Sequence, residues 1–340
     1  MRLVVAIYGP TSSGKTALSV RLCQLIAERL DRTPVVISAD SRQVYRYMDI
    51  GTSKTTIEEM GGIPHQMIDV TEPDRKYELE RYVAAAREHL QRSLDAGGIP
   101  VVVGGTGTYV RALLEGWEVD RVGTLRASLR KDFPPGMAVD AHATLERLDP
   151  AGAAKVHANN YAGVINALAR VMAGEDDAGL PQVNRLVLGV DRPPSDLDRR
   201  IAQTFARQLT AGLYDEVLQL DSRYQLEDQF HQERDSAPNQ VLHTHGYTEW
   251  FEVARDRGRM LHQLSRADHD EVRGRVVERI TGHARRQRSV LTKLENVQRV
   301  ASPDQAIRLV EAAVRRPEPS APRASPRKNR NVGQRRRRSR

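Results

Sequence analysis

Short unbroken apolar runs and longer stretches of helical spacing take turns along the chain. Leu3-Val4-Val5-Ala6-Ile7-Tyr8 is such a run, and Val35-Val36-Ile37-Ser38, Ile99-Pro100-Val101-Val102-Val103 and Arg185-Leu186-Val187-Leu188-Gly189-Val190 repeat it. Runs of this length, bounded by turn residues, predict strands buried inside a sheet. Helices are predicted from Lys15 to about Leu30, over 78–96, from about 196 to 212 and over 269–295, the longest uninterrupted candidate. This alternation predicts an α/β fold, a parallel sheet flanked by helices. Between 116 and 184 no buried-strand run occurs, and the helical stretches are broken at Pro134-Pro135-Gly136 and Asp149-Pro150. The organisation expected is a core in two parts, 1–116 and a mainly helical 185–314, with a helical insertion at 117–184 and a tail at 315–340.

Composition sharpens this picture in three places. A chain of 340 residues is long for a single core, which agrees with an insertion or a second domain. Its one cysteine, Cys23, falls in the first predicted helix, which excludes a disulfide scaffold or a cysteine-rich zinc site. No apolar stretch approaches the roughly 20 residues that a membrane span needs, and the first strand runs too soon into polar loop to be a signal peptide. A cytoplasmic protein with no membrane partner is expected. The charge is uneven: ten arginines and Lys328 against Glu318 give 315–340 a net +10, leaving −2 for 1–314. A segment of Pro, Ser, Arg and Asn cannot bury apolar surface, so a disordered tail that holds nucleic acid through phosphates, or is merely solvated, is expected.

The turn after the first strand carries the clearest chemistry. Gly9-Pro10-Thr11-Ser12-Ser13-Gly14-Lys15-Thr16, between a strand and a helix, has the order of a phosphate-binding loop. Such a loop aims backbone N–H groups and a positive helix end at one anion, with Lys15 adding a charge and Thr16 a hydroxyl suited to Mg²⁺. Nucleotides and diphosphates both fit. Asp40 ends the second strand, at the sheet edge where parallel sheets bind ligands, and the glycine turn Gly104-Gly105-Thr106-Gly107 ends the third and points to the same edge. An Asp after a strand also caps turns and helices, and Thr106 also suits a turn. His243-Thr244-His245 lacks the partner carboxylate or cysteine spacing of a zinc site.

Four segments together resemble one family. Gly9 to Thr16, the run from Asp40-Ser41-Arg42-Gln43 to Gly51-Thr52-Ser53-Lys54, Ile63-Pro64-His65-Gln66-Met67-Ile68-Asp69 and Val103 to Tyr109 are similar, in order and spacing, to the tRNA dimethylallyltransferases, or tRNA isopentenyltransferases. The resemblance is traceable through Asp196 to Ile201, Gly246-Tyr247-Thr248-Glu249 and Ala284-Arg285-Arg286-Gln287. It implies a fold like that of phosphate-loop NTPases, a monomer, and transfer of the prenyl group of dimethylallyl diphosphate to the exocyclic amine of an adenosine beside the anticodon of tRNA. It further implies that Gly9, Thr11, Ser12, Ser13, Gly14, Lys15 and Thr16 hold the diphosphate, with Mg²⁺ on Thr16. Asp40 would be the general base, Thr106 would orient the diphosphate or the amine, and Ser41, Arg42, Gln43, Arg126, Arg285 and Arg286 would contact the adenosine or the tRNA.

The departures leave other acceptors open. Gly163 and Asn166 stand where the family carries two arginines that contact tRNA, and Thr281-Gly282-His283 and Ser289-Val290-Leu291 replace its Thr-Arg and Thr-Trp elements. One alternative is an adenylate dimethylallyltransferase that prenylates free nucleotides, as cytokinin synthases do. Another is a catalytically impaired or kinase-like phosphate-loop protein that binds RNA through its tail.

Overall fold

The computed structural model describes residues 2–115, 119–173, 183–233, 238–293 and 296–315. Six parallel strands lie side by side in the order β3-β2-β4-β1-β5-β6: β1 (Leu3–Tyr8), β2 (Pro34–Ser38), β3 (His65–Gln66), β4 (Ile99–Gly104), β5 (Asn184–Gly189) and β6 (Val297–Arg299). The central strand β1 pairs Val5 with Val101 on one side and with Leu186 on the other. Its unbroken apolar run follows from this position, since every β1 residue is buried. Val4, Ala6 and Tyr8 face one layer, while Leu3, Val5 and Ile7 face the other, the period of two that a pleated strand imposes.

Helices cover both faces. α1 (Lys15–Leu30) places Leu18, Leu22 and Ile26 against the odd face, beside Ala306, Ile307 and Val310 of the last helix, α13 (Pro303–Val314). The even face is covered by α2 (Leu79–Asp95) and α3 (Gly107–Glu115) and continues into the helical layer of the second half. Burying each such Leu, Ile or Val contributes about 1.5–3 kcal/mol. Four helices form the 119–173 segment: α4 (Val119–Asp132), α5 (Ala138–Leu148), α6 (Pro150–Ala153) and α7 (Tyr161–Ala173). They enclose a separate apolar cluster of Leu129, Leu145, Val164, Ile165 and Leu168. The second half adds α8 (Pro194–Thr210), α9 (Leu213–Tyr224), α10 (Leu226–Glu233), α11 (Thr248–Arg257) and α12 (Arg266–Lys293).

The elements differ from the sequence reading at edges and ends. The edge strands β3 and β6 escaped notice because they are two and three residues long and only partly buried, with no period to read. α8 begins at Pro194 rather than near Asp196, since proline suits a first helical turn. α12 begins ahead of residue 269 because Ser265 and Asp268 cap it reciprocally, Ser265 N–H donating to Asp268 Oδ2 at 2.7 Å and Asp268 N–H to Ser265 Oγ at 3.4 Å. Among the described residues no helix is long and apolar enough to cross a membrane. The expected disordered tail lies, beyond Arg315, outside the described residues.

Candidate active site

Strands β2, β4, β1 and β5 are neighbours, so the turns that follow them meet at one sheet edge. After β1 the chain bends through Gly9–Gly14, with Ser13 N–H donating to Pro10 O at 3.2 Å. Gly14 precedes α1 with φ +95, in the left-handed region that a side chain would disfavour. No side chain caps α1 and no acidic residue sits in its first turn, which leaves its positive end open to an anion. Lys15 folds back so that Nζ donates to Pro10 O at 2.7 Å. Burial pushes its ammonium down to about 8, against the opposing charge of Asp40. Ser13 Oγ is buried with no hydrogen-bond partner in the loop it shares.

Two side chains from distant segments complete the loop. Arg192, just beyond β5, donates from Nε to Ser13 O at 2.7 Å and brings a second cation to the cradle. Gln287 of α12 accepts from Thr11 N–H at 2.8 Å and donates from Nε2 to Gly105 O at 2.8 Å. It thereby ties the phosphate loop to the glycine turn after β4. The end of β4 and that turn are crowded: a Cβ on Gly104 would fall 2.0 Å from Ala39 O, and one on Gly105 would fall 2.5 Å from Gln287 Nε2.

Asp40 follows β2 at the same edge, partly buried. Its Oδ1 accepts from Arg42 N–H at 2.8 Å, an Asx turn, while Oδ2 has no partner among the described residues and is free to take one. The turn thus uses one carboxylate oxygen and leaves the other for chemistry. Thr106 Oγ1 accepts from Ser41 N–H at 3.2 Å, so Ser41, Asp40 and Thr106 hold one position between them.

The other residues singled out by sequence are spread more widely. Gln43 donates to Ser53 O at 3.2 Å and Arg42 reaches Gln240 Oε1 at 3.4 Å. Arg126 lies on α4, 3.4 Å from Asn166 Oδ1 and 3.5 Å from Glu80, and Arg285 pairs with Asp198 at 3.3 Å. Arg286 is exposed and has no carboxylate partner among the described residues. Much of the stretch up to Lys54 is scaffold. Glu216 accepts from the N–H groups of Asp49, Ile50 and Gly51 at 3.0, 2.8 and 3.1 Å and from Tyr247 OH at 2.7 Å. Buried Lys54 donates to Tyr45 O at 2.7 Å and to Asp69 at 2.6 Å. Arg192 and Glu216 were missed in the sequence. Arg192 stands shortly after a buried strand, but only the order of strands in the sheet brings it to the loop; Glu216 carries no sequence signal.

Comparison with known proteins places this geometry. The family model described as IPP transferase matches residues 43–293, more than half of the chain. The chain is 36% identical over 229 residues to the tRNA dimethylallyltransferase of Roseiflexus sp. (strain RS-1), covering 65% of this chain and 73% of that protein. It is 38% identical over 230 residues to the tRNA dimethylallyltransferase of Thermomicrobium roseum, covering 64% and 67%. Among solved structures it is similar to the tRNA isopentenylpyrophosphate transferase of Bacillus halodurans, with TM-score 0.61, 29% identity and coverage of 92% and 96%. A eukaryotic dimethylallyltransferase acting on tRNA shares the fold at TM-score 0.70 and 22% identity, covering 94% of this chain and 81% of its own.

Proposed function

The chain belongs to the IPP transferase family, and from that premise we propose that it moves a dimethylallyl group from dimethylallyl diphosphate to the exocyclic amine of an adenosine beside the anticodon of tRNA. The observation that carries this reading is the bridge made by Gln287, which brings the phosphate loop and the Thr106 turn together at the edge where Asp40 keeps one carboxylate oxygen free. The names of the two curated relatives, both tRNA dimethylallyltransferases, support the acceptor.

The steps follow from charge. The carbon–oxygen bond of an allylic diphosphate breaks with its electron pair leaving on pyrophosphate, and the developing negative charge needs fixed positive partners. Lys15, Arg192 and the open amides of the loop and of the first turn of α1 supply them. The amine lone pair then bonds the allylic carbon. An aromatic amine is a weak nucleophile, so its proton must pass to a base as the bond forms, and Asp40 takes it on its free oxygen. Ser41 and Thr106 hold Asp40 and the amine in register.

The donor set also fits a magnesium ion that arrives with the diphosphate. Thr16 is exposed, and its hydroxyl has no partner among the described residues. One hydroxyl, with phosphate oxygens and water, is a donor set that a hard cation takes. Bound there, it would neutralise leaving-group charge.

One observation favours a free adenine nucleotide as acceptor instead. Gly163 N–H is taken up by Asn160 Oδ1 at 3.1 Å, and Asn166 engages Arg126, so α7 offers no arginine to a phosphate at either place. Incubating the protein with labelled dimethylallyl diphosphate and either tRNA or AMP decides between them. Label in tRNA is expected; label only in AMP overturns the tRNA acceptor. Preference for ATP over dimethylallyl diphosphate overturns prenyl transfer itself.

A further inference from the structure

Two guanidiniums and two imidazoles near Asp40 go unused in the steps above. Arg42 shares the Asp40 turn and reaches Gln240, which opens a short 3-10 turn, Gln240–His243. His245 follows that turn, and its ring meets the ring of His283 edge-on with centroids 6.4 Å apart. His283 and Arg286 lie one turn apart on α12 beside Gln287, so the anchor on the phosphate loop also holds them at the site. His245 is steadied from behind, its Nδ1 3.3 Å from Oε1 of Glu249, a fully buried carboxylate that accepts from Gly246 N–H at 2.8 Å and from Arg279 at 3.1 Å.

Arg286 differs from four other arginines of α12. Arg275, Arg279, Arg285 and Arg288 each hydrogen-bond a carboxylate: Asp256, Glu249, Asp198 and Asp191 respectively. Arg286 does not, and the Arg42 guanidinium meets only the Gln240 amide among the described residues. Two guanidiniums beside two imidazoles that can take up protons make a cluster that attracts an anion.

We propose that Arg42, His245, His283 and Arg286 form a subsite for one phosphate of the acceptor, the phosphate attached to the adenosine whose amine faces Asp40. This rests on the reading of adenosine as acceptor. The same chemistry suits a phosphodiester of RNA and the 5′-phosphate of a free nucleotide.

The site has a pH signature. His283 reaches the surface, yet the protein packed around it lowers its proton affinity, and the positive neighbours Arg286, His245 and Arg42 lower it further, against Asp40, which raises it. A bound phosphate offsets those cations and raises the affinity of His283 for a proton, so binding takes up a proton. Acceptor affinity is therefore highest at acid pH and falls as the pH rises through the imidazole range, by at most tenfold per pH unit for one proton.

The test measures equilibrium binding of the full chain to an unmodified anticodon stem-loop RNA and, separately, to AMP, from pH 5.5 to 7.5. The wild-type protein is compared with the double variant His245→Gln/His283→Gln, and binding of dimethylallyl diphosphate reports that the variant is folded. RNA affinity is expected to fall by about threefold to tenfold across that range in the wild type and to stay flat in the double variant. A wild type without slope, or a slope that survives in the variant, overturns the subsite and leaves prenyl transfer to tRNA untouched. If only AMP binds, with a slope that the variant abolishes, the subsite stands and the tRNA acceptor falls. Binding of neither overturns both.

Discussion

At the scale of single residues, two groups carry opposite demands. Asp40 must be anionic and free on one oxygen, while its other oxygen holds the turn. Asp40→Asn keeps the acceptor for Arg42 N–H and removes only the charge, so the fold and dimethylallyl diphosphate binding should persist while transfer falls about 10²–10⁴-fold. Single-turnover rates beside a diphosphate titration check this, and wild-type turnover in the variant would make Asp40 a turn residue only. Lys15 must be cationic when the diphosphate arrives. Its ammonium loses its proton near pH 8 in the free protein, and a bound diphosphate would hold that proton more tightly. Diphosphate affinity should then be level below about pH 8 and decline above it. In Lys15→Met the affinity should be weak at every pH and the decline absent, which a titration from pH 6.5 to 9.5 measures.

At the scale of elements, the turn after β4 is pressed from two sides with different consequences. An alanine at Gly105 meets the far end of a flexible side chain, Gln287 Nε2, which can swing away. Gly105→Ala should therefore leave melting nearly unchanged and lower transfer as Gln287→Ala should, because both release the phosphate loop from the turn. An alanine at Gly104 meets Ala39 O, a backbone atom one residue past β2 that cannot swing away. Gly104→Ala should lower stability by more than about 2 kcal/mol, a strain of the size found in overpacked cores. Thermal melts of the three variants beside their turnover separate the outcomes, and equal destabilisation by Gly104→Ala and Gly105→Ala would refute the distinction. α9 serves the site at one remove: Glu216 gathers the amides of residues 49–51, and with them the far end of the segment that Asp40 begins.

At the scale of the whole molecule, charge is divided between a body of −2 and a tail of +10. Long-range attraction to RNA should come from the tail. Truncation after Arg316 should spare prenyl transfer to AMP, if AMP is accepted, and should weaken tRNA binding. Each lost phosphate contact removes about 0.7–0.9 from the slope of log affinity against log salt. Superimposable salt plots for the full and truncated chains would mark the tail as a passive solvated segment.

What the sequence by itself determined is what neighbours in the chain decide. The buried strands, the phosphate loop between β1 and α1, and the place of Asp40 and Thr106 at strand ends are local patterns, because apolar period, glycine turns and helix starts act over a few residues. The family, too, was legible in motifs that are each contiguous. Tertiary structure alone decided which distant groups share the site. Gln287 bonds Thr11 from 276 residues away, Arg192 reaches Ser13 across 179, and Glu216 takes the amide of Asp49 across 167. The physical reason is that a polar side chain reaching a backbone group leaves no period in its own segment; the sheet order that brings the ends together has to exist before such a contact has meaning.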